Sequence, residues 1–182
     1  MAARWLARWR VPLGWILGLA ALYVAKPRGE WLLAGIGVAA IGEALRLWAS
    51  GHLEKDQGLT TSGPYAWTRN PLYLGSLFVG LGFCIAAGRF SLLILLAGLF
   101  AAVYVPVMKR EARRLEAVYP ADYSRYAAEV PLFVPRPPRN GAEARERSSF
   151  SWRRVGVNRE YLTVIGLLLV AAFLSVKWML GG

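Results

Sequence analysis

Apolar residues in this chain gather into five long runs, at 11–25, 31–50, 71–88, 90–108 and 161–180, separated by short polar segments. Neither the two-residue alternation of a half-buried strand nor the single apolar stripe of a surface helix describes them. Runs of this length read as helices with lipid-facing surfaces. At about 1.5 Å per residue the third and fourth would extend roughly 27 to 29 Å, close to the ~30 Å hydrocarbon core of a bilayer. The first run is short and would need a thinned bilayer or the help of Trp9 and its neighbours. The pattern predicts an all-α integral membrane protein with five transmembrane helices. Lys26-Pro27-Arg28-Gly29 and Gly88-Arg89 leave room only for tight turns, which makes helices one and two, and three and four, antiparallel hairpins. Arg4, Arg8 and Arg10 before the first run also fit a signal peptide. No small-x-small cleavage site precedes Lys26-Pro27, so a retained anchor is expected.

Charge orients these helices. The 182 residues carry 22 basic and 11 acidic side chains, a formal charge of +11. Such a balance raises the question of nucleic acid, but with 56% apolar residues arranged in spans the first partner is the lipid bilayer. With the N-terminus in the cytoplasm, every basic residue except Lys26, Arg28, Arg89 and Lys177 falls on or near the cytoplasmic side, and the C-terminus lies outside. The Ala, Arg and Leu bias suits a bacterial inner membrane. A single cysteine and a single histidine exclude a disulfide framework and a Cys/His zinc cluster, so no metal site is expected and any cofactor is organic. The chain then divides into a membrane core over 1–136, a basic cytoplasmic linker over 137–159 and an additional helix over 160–182. The linker, with Arg139, Arg145, Arg147, Arg153, Arg154 and Arg159 against Glu143 and Glu146, reads as a solvated tether drawn to anionic headgroups rather than to nucleic acid. No internal repeat, phosphate-binding loop, dinucleotide fingerprint or nucleophile elbow occurs. Gly80-Leu81-Gly82 lies inside an apolar helix with no strand before it.

Polar residues in or beside the spans carry the candidate chemistry. Glu43 and Arg46 share one helical face at i, i+3 inside the second span, where ionisable groups mark a cavity or pathway unless they form a structural pair. The segment Leu59-Thr60-Thr61-Ser62-Gly63-Pro64-Tyr65-Ala66-Trp67-Thr68-Arg69-Asn70-Pro71-Leu72-Tyr73 combines turn chemistry at Gly63-Pro64, a proline at the start of helix three, and aromatic residues around Arg69. It is either an interfacial aromatic belt or a binding ribbon for a polar, carboxylate-bearing cofactor. Glu111 follows helix four, and continuation of that helix would place it on one face with Arg114 and Leu115. His52 ends helix two and is more readily structural than a general base. Cys84 reads as small apolar packing.

Taken together, these residues resemble the membrane-embedded methyltransferases of the isoprenylcysteine carboxyl methyltransferase and phospholipid N-methyltransferase group. The likeness runs through Leu45-Arg46-Leu47-Trp48-Ala49, Leu59 to Tyr73, Glu111 to Leu115, Tyr123, Tyr126 and Pro135, and stops before 137–182. In that group an Arg-His-Pro-x-Tyr segment preceded by Gly-x-Tyr, with an acidic pair downstream, encloses S-adenosylmethionine. The matching positions here are Arg69-Asn70-Pro71-Leu72-Tyr73, Gly63-Pro64-Tyr65 and Glu111-Ala112. Asn70 stands where histidine is usual, Gln57 where an upstream histidine would fall, and Ala112 in place of the second acid.

The resemblance implies a cytoplasmic cofactor pocket built from the loop before helix three and the helix after helix four. Gln57, Leu59, Thr60, Tyr65, Arg69, Asn70, Pro71, Tyr73 and Glu111 would bind S-adenosylmethionine, with Arg69 and Glu111 as the catalytic pair and Glu43 and Arg46 near the substrate. The implied reaction is methyl transfer to a lipophilic acceptor, an isoprenylcysteine-type carboxylate or a lipid headgroup. An NADPH-dependent sterol-type reductase and a non-catalytic membrane scaffold remain as alternatives. Neither the acceptor nor the oligomeric state is legible.

Overall fold

A computed structural model describes residues 18–54, 58–138 and 149–181. All regular structure among them is helical. The helices are α1 (Gly29–His52), α2 (Pro71–Ala86), α3 (Ser91–Leu99), α4 (Val105–Val118), α5 (Pro120–Glu129), α6 (Trp152–Val157) and α7 (Tyr161–Met179), with a 3-10 turn at Gly63–Ala66. A π-helical turn at Phe100–Tyr104 joins α3 to α4, so that Ser91–Val118 is one continuous helix of 28 residues. Among the described residues three helices are long and apolar enough to cross a membrane: α1, the Ser91–Val118 helix and α7. Three of the five expected spans are met by these helices, and at the place of another lies α2, which is apolar but only 16 residues long. Pro71 starts α2 and the turn at Gly88 comes after it, limiting it to about 24 Å. Of the first expected span only residues from 18 onward are described, and these are helical to 24.

The chain divides into two compact units. One comprises Met1–Ile41, Leu77–Val107 and Ile165–Gly182. Its core is Ala25, Leu32, Ala86, Ala87 and Leu174, with Leu22, Ile36, Phe83, Leu92 and Val170 against them. Small residues let α1 and α2 approach closely, since a Cβ on Gly35 would collide with the backbone of Gly82 and Ala86, and one on Gly82 with that of Gly35 and Ala39. The two turns anticipated from Lys26-Pro27-Arg28-Gly29 and Gly88-Arg89 are tied together by Lys26 N–H donating to Ala87 O at 2.8 Å. Gly88 has φ +65° and lies against Lys26 O, a place only glycine fills easily. The carbonyls ending the helix at residues 18–24 accept from Lys177 Nζ (Leu22 O, 3.2 Å; Tyr23 O, 2.9 Å) and Arg89 Nε (Val24 O, 3.1 Å). These are cations at a helix C-terminus, where the dipole favours them.

The other unit comprises Gly42–Ser76 and Met108–Val164 and holds every described candidate site residue. Tyr123, Tyr126 and Val130 form its apolar core, with Leu59, Ala112, Leu115, Tyr119 and Ala127 packed on them. From residue 149 onward the expected solvated tether is instead folded; residues 139–148 lie outside the described residues. The reason is the C-terminal end of α1, whose last carbonyls have no partner within the helix. Asn158 Nδ2 donates to Ser50 O (2.8 Å), Ser151 N–H to Gly51 O (3.0 Å), and Arg154 pairs with Glu54. The Phe150 ring meets the His52 ring 5.9 Å away, and Gly51 leaves the space that Phe150 occupies. His52 is accordingly buried, with Nδ1 3.0 Å from Trp48 O, a structural histidine.

The close approach of α1 and α2 can be tested directly. Gly82→Ala should destabilise the protein by about 1–3 kcal/mol through overpacking. Gly98→Ala, whose added methyl meets nothing within 4 Å, should not. Thermal unfolding midpoints of the two variants in one detergent check this.

Candidate functional site

The loop at residues 58–70 is shaped by a rail of main chain at 131–136. Thr68, almost wholly buried, donates through Oγ1 to Phe133 O (2.9 Å) and accepts from Asn70 N–H (3.3 Å). Asn70 Nδ2 donates to Leu132 O (2.9 Å), Arg69 N–H to Pro131 O (3.0 Å) and Arg136 N–H to Trp67 O (3.0 Å). Tyr126 Oη donates to Tyr65 O (2.7 Å). The 3-10 turn begins at Gly63, whose φ of +57° and contact with the His52 ring leave no room for a side chain. A segment that looked like an irregular interfacial loop thus has several main-chain groups and the side chains of Thr68 and Asn70 engaged.

Arg69 is half-buried. Its Nη1 donates to Tyr123 Oη (2.8 Å), and its guanidinium carbon lies 5.6 Å from the centre of that ring. Arg69 Nε is buried and has no hydrogen-bond partner. Tyr65, 7% exposed, also buries an Oη without a partner, and so does Ser62 its Oγ. Burial pushes the Tyr65 phenol well above its usual range, and the charge of Glu160 and then Tyr73 push it the same way. Tyr65 therefore stays a neutral phenol, able to donate. Three polar groups inside eight residues, each capable of donating and none satisfied within the protein, form an incomplete hydrogen-bonding set.

A second polar cluster surrounds Arg46. Its Nε lies 3.5 Å from Glu43 Oε2, and its Nη2 lies 2.5 Å from Glu160 Oε1 and donates to Thr163 Oγ1 (3.2 Å). Nη1 donates to Ser76 Oγ (2.5 Å). Glu43 and Glu160 are each 5% exposed. The carboxylates approach the guanidinium as ions rather than in well-aligned hydrogen bonds, since Glu43 Oε1 and Oε2 and Glu160 Oε1 lack a partner of good geometry. The pair expected from i, i+3 spacing exists, but it is one edge of a three-charge group.

The remaining candidates are spread over the same unit. Leu59 packs on the tyrosine core, and Thr60 Oγ1 accepts from Glu54 N–H at 3.3 Å. Pro71 is buried at the start of α2, and Tyr73 is half-buried two residues on. Asn70 commits its amide nitrogen to Leu132, so it acts as a clasp for the loop. Glu111 lies on the exposed face of α4 and no ion pair joins it to Arg69. It is Ala112 and Leu115 that turn toward the tyrosines. The expected common face of Glu111, Arg114 and Leu115 is therefore split, because the apolar pair takes the inward side and leaves Glu111 and Arg114 exposed. Gln57 lies outside the described residues. Cys84 is half-buried within α2. Sequence reasoning passed over Glu160, Thr163, Ser62, Ser76 and Thr68. Glu160 carried a usable signal, being an acid immediately before an apolar span. Thr68 carried none, since its role depends on carbonyls far along the chain.

Residues 30–122 match the sequence profile of the phospholipid methyltransferase family. The chain is 30% identical over 138 residues to the cobalt-zinc-cadmium resistance protein CzcN of Cupriavidus metallidurans, covering 70% of this chain and 62% of that one. It is 34% identical over 107 residues to the nickel-cobalt-cadmium resistance protein NccN of Alcaligenes xylosoxydans xylosoxydans, covering 57% of this chain and 48% of that one. The chain thus spans between about half and two thirds of the length of these relatives. No solved structure matches it. The match takes in α1, the 58–70 loop, α2 and the Ser91–Val118 helix, and with three helices able to cross a bilayer it makes this a membrane protein that belongs to the phospholipid methyltransferase family.

Proposed function

We propose that the protein is an S-adenosylmethionine-dependent methyltransferase acting on a lipophilic acceptor at the cytoplasmic face of a bacterial inner membrane, with its N-terminus inside and its C-terminus outside. The observation that carries this reading is the set of buried, unpartnered atoms on one loop, Ser62 Oγ, Tyr65 Oη and Arg69 Nε, in a family named for methyl transfer. That membership favours methyl transfer over a nicotinamide-dependent reductase or a scaffold.

The donor set fits the cofactor. An amino-acid carboxylate suits the Arg69 fork, and the neutral Tyr65 phenol and the Ser62 hydroxyl suit its remaining acceptors. When bound, S-adenosylmethionine supplies an electrophilic methyl group on a sulfonium. Leu59, Thr60, Pro71 and Tyr73 would line the same pocket, and Gln57 is expected there from its place in the chain. Asn70 contributes by clasping the loop to Leu132. Glu111, exposed on α4, would act from the solvent side as a complementary negative charge. The work of the protein is then to hold two reactants in line and to exclude water. An isoprenylcysteine-type carboxylate needs no base, whereas a protonated headgroup amine must first lose its proton. Glu43 and Arg46, buried inside α1, would meet the acceptor. The names of the two relatives refer to metal resistance. For this chain we infer modification of a membrane component, because the family it belongs to is named for phospholipid methylation and its buried polar groups lie beside apolar helices.

Arg69→Ala should weaken S-adenosylmethionine binding by about 10- to 100-fold, the loss expected for a charge-assisted hydrogen bond. Tyr65→Phe should weaken it several-fold and Glu111→Gln least. Titration calorimetry on the purified protein reads all three, and unchanged affinity and turnover in both Arg69→Ala and Glu111→Gln would remove the assignment. Methyl transfer from labelled cofactor should label acceptors with an apolar tail in a membrane lipid extract. Labelling confined to water-soluble acceptors would contradict the lipophilic substrate class.

A further inference from the structure

The final helix lies outside both the matched family range and the resemblance that runs to Pro135, and reads from sequence as an appended anchor. Its first turn nevertheless reaches Arg46 twice. Glu160 supplies the ion pair to Nη2, and Thr163, three residues on, supplies a hydroxyl to the same nitrogen. This i, i+3 spacing puts both side chains on one face of α7. The backbone is bent to make it possible. Arg159 has φ +56°, the only positive value among the described non-glycine residues, and it sits between α6 and α7. This left-handed residue directly precedes Glu160, which pairs with Arg46. Glu160 N–H donates to Val155 O (3.2 Å) and Glu160 O accepts from Thr163 N–H (2.9 Å). The Glu160 side chain is directed to the guanidinium. Without Glu160, the remaining carboxylate would be Glu43, 3.5 Å from Nε.

We infer that Glu160 is a positioning residue for Arg46: the C-terminal helix completes the acceptor end of the site by fixing the guanidinium from the Nη2 side, with Thr163 as its second contact. The inference rests on the proposed methyltransferase reading, in which Arg46 meets the acceptor. It makes α7 a working part of the enzyme.

The experiment uses the full chain in nanodiscs, with labelled S-adenosylmethionine and a total membrane lipid extract as the acceptor probe. Glu160→Gln should raise the acceptor KM about tenfold while cofactor affinity stays within about twofold, Glu160→Asp should restore most of the difference, and Thr163→Val should raise KM about threefold. Unchanged KM and kcat in Glu160→Gln overturn the inference. Equal losses of cofactor binding and turnover without rescue by Glu160→Asp overturn it as well, since they mark a purely structural residue. If Glu160→Gln does not fold, Thr163→Val, which keeps every charge, decides by the same KM criterion. A wild-type protein that neither binds the cofactor nor transfers a methyl group removes the proposed function, and this inference with it. Loss confined to the variants removes nothing but the account of α7 if the KM pattern is absent.

Discussion

A guanidinium inside an apolar helix costs about 2.5–3.5 kcal/mol by insertion scales, and Arg46 lies about 9 Å, six residues, before the end of α1. Much of the site-bearing unit is organised around meeting that cost. Glu43 comes from the same helix, Ser76 from the first turns of α2, and Glu160 and Thr163 from the start of α7. Removing one member of such a group strands the others, because each buried charge depends on its neighbours for solvation. Segments far apart in the chain are joined at one side chain.

The loop of residues 58–70 obeys a different constraint. Irregular backbone beside an apolar region must have its polar groups met within the protein. Carbonyls of Pro131, Leu132 and Phe133 and the hydroxyls of Tyr123 and Tyr126 do this. Against so complete a set of partners, the unsatisfied Ser62, Tyr65 and Arg69 atoms stand apart. They fall within eight residues of one loop, and a ligand rich in acceptors would suit them.

The stretch that matches the family ends at residue 122, yet groups that clasp its loop and two of the four side chains that hold its half-buried Arg46 come afterwards. Tyr123, Tyr126 and the 131–136 rail secure the loop, and Glu160 and Thr163 secure Arg46. The loop and the arginine of the family range are therefore held in part by main-chain carbonyls, which many sequences can supply, and by a further helix, which places two specific side chains.

Apolar run length by itself determined the helical character of the chain, the α1, Ser91–Val118 and α7 spans and the tight turns at Lys26 and Gly88, because burying backbone in lipid leaves helices as the only local solution. The Glu43–Arg46 pair was legible from i, i+3 spacing, and the Arg69 loop from its turn residues and aromatics. The tertiary structure alone decided which polar residues meet. It brought Glu160 to Arg46 across more than a hundred positions, turned Ala112 rather than Glu111 inward, and converted part of an apparent tether into the cap of α1. Helix periodicity and hydropathy are local quantities, whereas the pairing of a buried charge is settled by whichever distant group can reach it.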